Sequence, residues 1–158
     1  MDENVRKALQ TEYYKLIDII HKYDDYFIRI KTWSISLGAL TTGVSINIKS
    51  VYTFLLVTLL GIAFWLTEVS FKLVQLSHFK RINELENALN TGIEKEKDFP
   101  TPRIIQAYSE RKKENDRTGL WKKAIWWNHV MFPHIIFSLS GIIGFIVIII
   151  QKIFKISE

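Results

Sequence analysis

The chain has no cysteine and only three prolines and seven glycines in 158 residues. The first absence excludes disulfides and thiolate-held metals, and the scarcity of the other two leaves long stretches with nothing to interrupt a helix. Charge is missing too, but locally: residues 32–48, 50–67 and 124–151 contain no Asp, Glu, Lys or Arg. A Gly-rich phosphate loop, a paired metal motif and a nucleophile constellation are also lacking. The four histidines are scattered at 21, 78, 129 and 134, and His129 and His134, with Pro133 between them, do not share one helical face. No enzyme activity, cofactor or metal is expected.

What is there is segregated. A spanning helix needs about 20 mainly apolar residues, and each charge-free segment approaches or exceeds that length. A soluble all-α alternative would have to bury both VYTFLLVTLLGIAFWL and GIIGFIVIII in one core, which a chain of this size can hardly build. The third segment opens with Trp126, Trp127, Asn128 and His129, residue types suited to the headgroup zone, leaving Phe132 to Gln151 to cross. With Asp2 and Glu3 at the start and no apolar stretch before residue 31, a cleaved signal peptide is not expected.

Of the 21 Lys and Arg, 18 fall in residues 1–31 and 68–123. The positive-inside rule puts both stretches in the cytoplasm and gives three crossings. The expected organisation is all-α: a cytoplasmic amphipathic helix over 1–31, a transmembrane hairpin over 32–67, and a cytoplasmic helical region over 68–123. An interfacial segment and third transmembrane helix follow over 124–151, then an external tail over 152–158. The N-terminus is expected in the cytoplasm and the C-terminus in the periplasm of a bacterial inner membrane.

Val5, Leu9, Tyr13, Leu16, Ile20, Tyr23 and Phe27 form an apolar stripe at helical spacing, which needs a partner. Leu73, Leu76, Phe79, Ile82, Leu85 and Leu89 can supply one, because nothing breaks the helix from Ser50 to Asn90. Such a rod, about 60 Å long, continues well past the hydrocarbon layer. It either couples its charged half to its apolar half or simply stabilises a bundle. Thr91-Gly92 reads as a helix stop, and Pro100 and Pro102 keep the following loop out of helix until about residue 103.

Two groups of residues carry the candidate functions. Ser34, Gly38, Thr41 and Ser45 form one small polar stripe, either a close helix-packing face or a pore lining, and His134, Ser138, Gly141 and Phe145 make a weaker one. Glu68 either pairs locally with Lys72 or, in a symmetric assembly, contributes to an acidic ring along a cation path. The densest basic cluster is Arg111, Lys112, Lys113 and Arg117, with Lys122 and Lys123 further on and Tyr108 and Trp121 interleaved. Membrane lipids are one partner for these charges; a nucleotide or oligonucleotide held by phosphate neutralisation and base stacking is another. Both small stripes need neighbours, so a homo-oligomer is expected, and a tetramer is one arrangement that fits.

The stretch FWLTEVSFKLVQLSHFKRINELENAL, residues 64–89, resembles the membrane-exit segment of small bacterial antiviral-defence membrane effectors. Phe64, Trp65, Glu68, Lys72, Gln75, Arg81, Glu84, Leu85 and Glu86 carry the likeness. It is similar to the SLATT-type group of helical effectors encoded beside nucleotidyltransferases, and within it to Hailong-type membrane proteins. The resemblance implies an oligomeric channel that depolarises the inner membrane under a nucleotide-derived signal, a short DNA oligomer restraining it in the Hailong type. The alternative is a non-conducting membrane scaffold that recruits a cytoplasmic protein.

Overall fold

The computed structural model describes residues 2–91 and 103–156, and among them there is helix and turn but no strand. The expected stop at Thr91-Gly92 and the loop with Pro100 and Pro102 lie outside the described residues from 92 onward. Six helices follow in order: α1 Glu3–Ile48, α2 Val51–Thr91, α3 Ile104–Thr118, α4 Leu120–Ala124, α5 Asn128–Met131 and α6 His134–Ile156. Asp2 caps α1 by accepting the Asn4 amide at 3.1 Å on its side chain and the Arg6 amide at 3.0 Å on its backbone. A two-residue link, Lys49 and Ser50, joins α1 to α2, with Lys49 in the left-handed region at φ 51°. Gly119, at φ 63°, ends α3 by donating its amide to the carbonyls of Asn115 and Asp116, the left-handed cap for which glycine is suited.

Packing divides the chain into two units. The charged unit combines Met1–Tyr26 with Ser70–Lys123, and the apolar unit combines Phe27–Val69 with Ala124–Glu158. Both α1 and α2 run from one unit into the other without a helix break.

In the charged unit, Leu9, Leu16 and Ile20 of α1 pack on Ile82, Leu85 and Ala88 of α2, with Tyr13, Leu89 and Ile104 against them. Each fully buried Leu or Ile among them contributes about 1.5–3 kcal/mol. The stripe expected from spacing differs in two places. Glu12, not Tyr13, occupies its deep register, while Tyr13 lies at the edge and donates its hydroxyl to Glu86 at 3.0 Å. On α2, Phe79 is exposed and its neighbour His78 is buried.

In the apolar unit, glycines set the approach of α2 and α6. A Cβ on Gly141 would lie 2.7 Å from the Thr58 amide nitrogen and 2.8 Å from the Phe54 carbonyl oxygen, so the two backbones touch. Thr58 and Ser138 are buried at the same contact. Among the described residues two helices, α2 and α6, contain stretches long and apolar enough to cross a membrane. The apolar end of α1 does not reach that mark, because Ser34, Ser36, Thr41, Thr42, Ser45 and Asn47 dilute it.

Candidate functional site

Two constellations stand out, one in each unit. In the apolar unit, four side chains from three helices form a continuous polar chain. Glu68 of α2, 1% exposed, places Oε1 at 3.2 Å from Lys31 Nζ of α1 and Oε2 at 2.8 Å from His134 Nε2 of α6. His134, fully buried at the first turn of α6, directs Nδ1 to the Ser34 hydroxyl at 2.7 Å. Lys31 Nζ also donates to the His129 carbonyl at 2.7 Å. The Phe64 ring stacks on His134 at 6.4 Å, and Trp65 Nε1 donates to the Ile125 carbonyl at 3.0 Å. Glu68 is the only acidic residue among the described residues of this unit.

The expected local pair of Glu68 with Lys72 is therefore replaced by partners from other helices. Lys72 Nζ instead donates to Gln75 Oε1 at 2.6 Å, and Gln75 Nε2 donates to Asp24 at 2.7 Å. The reason is geometric. Glu68 lies on the face of α2 that meets α1 and α6, where an unpaired carboxylate is costly.

The small polar stripe of α1 meets α6 within the chain. Ser34, Gly38 and Ser45 are buried and Thr41 is half-buried. A Cβ on Gly38 would fall 2.5 Å from Phe137 Cγ. The Ser45 and Thr41 hydroxyls return to their own helix, bonding the carbonyls of Thr41 and Leu37 at 2.7 and 2.6 Å. His134, Ser138 and Gly141 of the second stripe face α1 and α2, through the Ser34, Thr58 and Gly61 contacts.

The charged unit holds a half-open cavity of about 260 Å³ between α2 and α3, closed at one side by α4. Its walls include Ser77, Tyr108, Lys112, Asn115, Asp116 and Trp121. The Tyr108 ring is held from behind by His78, stacked at 5.3 Å and 23°. Asn115 donates Nδ2 to Ser77 Oγ at 3.3 Å. Burial pushes the His78 imidazole below its ordinary value, so it serves as a neutral aromatic support.

The basic cluster read from sequence is split by this geometry. Lys112 shares the cavity with Tyr108 and Trp121, while Lys113 and Arg117 lie beside a shallow depression with Glu110 and Glu114. Arg111 pairs with Glu114 at 2.8 Å and, through that hydrogen bond, holds the Glu114 carboxyl below the usual carboxylate range. Arg111 is thus matched to a local acid, Lys113 and Arg117 lie beside Glu110 and Glu114, and an aromatic-walled site with one lysine remains.

Sequence reasoning missed two features here. Spacing in the sequence puts His134 on a packing stripe without its carboxylate, and it does not pair Glu12 with Arg81, whose Nε meets Oε1 at 2.9 Å in the charged unit. The signal for both was a charged or titratable residue in register with an apolar stripe. No protein family, curated protein or solved structure was found to match the chain.

Proposed function

We propose that the chain is a three-span inner-membrane protein that assembles into an ion channel, depolarises the membrane in bacterial antiviral defence, and is controlled from its charged unit by a nucleotide-class polyanion. The observation that carries this reading is the buried Lys31–Glu68–His134–Ser34 chain in the apolar unit. Ionisable groups among membrane helices are costly and occur chiefly where ions or protons are handled. Three spans are supported by the outward faces of all three long helices. Trp33, Leu40, Ile46 and Ile48 of α1 are as exposed as Leu56 and Leu59 of α2 or Ile143 and Ile153 of α6, a distribution suited to lipid.

The stripe of Ser34, Gly38, Thr41 and Ser45 belongs in this reading to a closed arrangement. Conduction requires α1 to leave Phe137 and His134 so that small polar groups face a path in the oligomer. The cavity with Tyr108, Lys112 and Trp121 is the ligand site, a ring stacking between aromatic walls while Lys112 meets a phosphate.

The alternative, a non-conducting scaffold, is favoured by one observation: the stripe is already filled by α6 of the same chain. Purified protein in liposomes decides between them. A potential-sensitive dye should report ion flux that a short DNA oligomer changes, and absence of flux from correctly inserted oligomers in every ligand condition would sink the channel. Reporter fusions should place residue 1 in the cytoplasm and residue 158 outside; a cytoplasmic C-terminus would sink the three-span reading.

A further inference from the structure

We propose that His134 is a proton-binding site whose occupation expels Lys31 from Glu68, so that acid unties α1 from α5. The inference holds for a channel or a scaffold alike.

The directions of the hydrogen bonds define the starting state. An ionised Glu68 has no hydrogen to give, so His134 Nε2 carries a hydrogen and donates it to Oε2 at 2.8 Å. With a neutral imidazole, Nδ1 is an acceptor and the Ser34 hydroxyl donates to it at 2.7 Å. The Lys31 ammonium then balances the carboxylate, and His129 supplies that ammonium with a second acceptor at 2.7 Å. Each polar atom of the chain has a partner, and the sum of the charges is zero.

One added proton changes both properties. Nδ1–H must now donate, so the Ser34 hydroxyl becomes the acceptor and must aim its own hydrogen elsewhere. A carbonyl four residues back in α1 is the natural target, as Thr32, Thr42 and Ser45 already use theirs. The chain would also carry a net positive charge in a dry space. Among the described residues of the apolar unit no further acid is there to neutralise it. Within the apolar unit the charged or titratable groups facing His134 are Lys31 from α1 and Glu68 from α2, with His129 of α5 beyond Lys31, and Phe64 covers the ring face.

Glu68 therefore keeps one cation. The imidazolium is immobile, buried at the start of α6, whereas the Lys31 side chain is 32% exposed and can reach water by rotating its stem. The proton enters and the ammonium leaves, which restores neutrality. The bond from Lys31 to the His129 carbonyl goes with it, and that bond is a tie between α1 and α5. Histidine titrates in the range where such an exchange has physiological meaning, about pH 5 to 8.

The test follows both groups in the full-length protein in micelles, by NMR with 15N-histidine and 15N-lysine, assigning signals with His134→Gln and Lys31→Met. Above neutrality, His134 should show the neutral, Nε2-protonated tautomer and Lys31 a slowly exchanging ammonium. On acidification the imidazole should become doubly protonated, and the Lys31 ammonium should pass to fast exchange with water at the same midpoint. In Lys31→Met, which keeps the apolar stem and removes the competing cation, protonation of His134 should move to higher pH. Lys31→Arg, which keeps the cation, should stay close to the wild-type midpoint. The proposal is overturned if His134 stays neutral down to about pH 5, if Lys31 does not respond when His134 titrates, or if Lys31→Met leaves the midpoint in place.

Discussion

Glu12 and Arg81 form a two-point ion pair in the interior of the charged unit: Nε meets Oε1 at 2.9 Å and Nη2 meets Oε2 at 3.1 Å, with both side chains 2% exposed. The same Oε1 accepts the Arg103 amide at 3.1 Å, and Arg81 Nη1 donates to Glu84 at 3.2 Å. One carboxylate thus ties α1 to α2 and to the residue that begins α3.

Removing one partner should be far worse than removing both. Glu12→Ala takes the two-point carboxylate away from a buried guanidinium, and a loss of about 3–5 kcal/mol is expected. The double variant Glu12→Leu with Arg81→Met should recover most of that loss. Chemical denaturation in detergent measures both. Equal losses in the single and double variants would mean that the pair is not the source of the cost.

The glycines of the apolar unit should differ in whether they can be rescued. Gly38→Ala presses on the Phe137 ring, a side chain that can be shortened, so Phe137→Leu should restore stability lost at about 1–3 kcal/mol. Gly141→Ala presses on backbone atoms of Thr58 and Phe54, and no side-chain truncation there should rescue it. Gly43→Ala has open space around it and should cost nothing from clashes. Melting temperatures of the five proteins, compared in one detergent, check the order.

Acid should weaken the charged unit through His78. Burial lowers its folded-state value, so the unfolded chain binds the proton more readily. Stability from this group is fully present above the ordinary histidine value of about 6.5 and is lost as pH falls through the folded value. His78→Phe keeps a ring against Tyr108 and should flatten that acid-side decline. Hydrogen exchange of α2 and α3 amides at about pH 7.5 and 5.5 separates this effect from events in the apolar unit. An undiminished decline in the variant would exclude His78 as its source.

Ligand binding should follow the cavity and not the total basic charge. Tyr108→Ala should weaken a short single-stranded DNA probe by about 5- to 150-fold if a base stacks there, a loss of about 1–3 kcal/mol. Lys112→Glu should weaken it in a salt-dependent way. Lys113→Glu with Arg117→Glu, both beside local acids, should have the smaller effect. Fluorescence anisotropy at two salt concentrations gives the ranking, and the reverse order would move the site to the second face of α3.

Much of this architecture is legible in composition. The changes from charged to charge-free sequence at residues 31/32, 67/68 and 123/124 fall within a few residues of the divisions between the two units, at Tyr26/Phe27, Val69/Ser70 and Lys123/Ala124. Absence of helix breakers from Ser50 to Asn90 predicts one helix, and α2 runs from Val51 to Thr91. Side-chain partners were less legible, because periodicity names a face and not what meets it. The spacing of Glu12 from Leu9 and Leu16 puts a carboxylate on a buried stripe, but only the fold brings Arg81 to it. Likewise, one-dimensional distance favours Lys72 for Glu68, whereas the packing of three helices delivers Lys31 and His134. The basic cluster is the converse case. Its residues are adjacent in sequence, and helical rotation sends them to different faces.

The link of Lys49 and Ser50 has a mechanical consequence for the apolar unit. Lys49 donates its amide to Ser45 at 2.9 Å and Ser50 accepts from Thr53 at 3.2 Å, so the connection has almost no slack. Helices α1 and α2 cannot slide past each other there by a turn, about 5.4 Å, without unwinding an end. The link therefore fixes the register of the two helices from that end. Lys31 and Glu68 each lie 18 residues from it, Lys31 from Lys49 and Glu68 from Ser50, so the two charges stand level, roughly 27 Å along their helices.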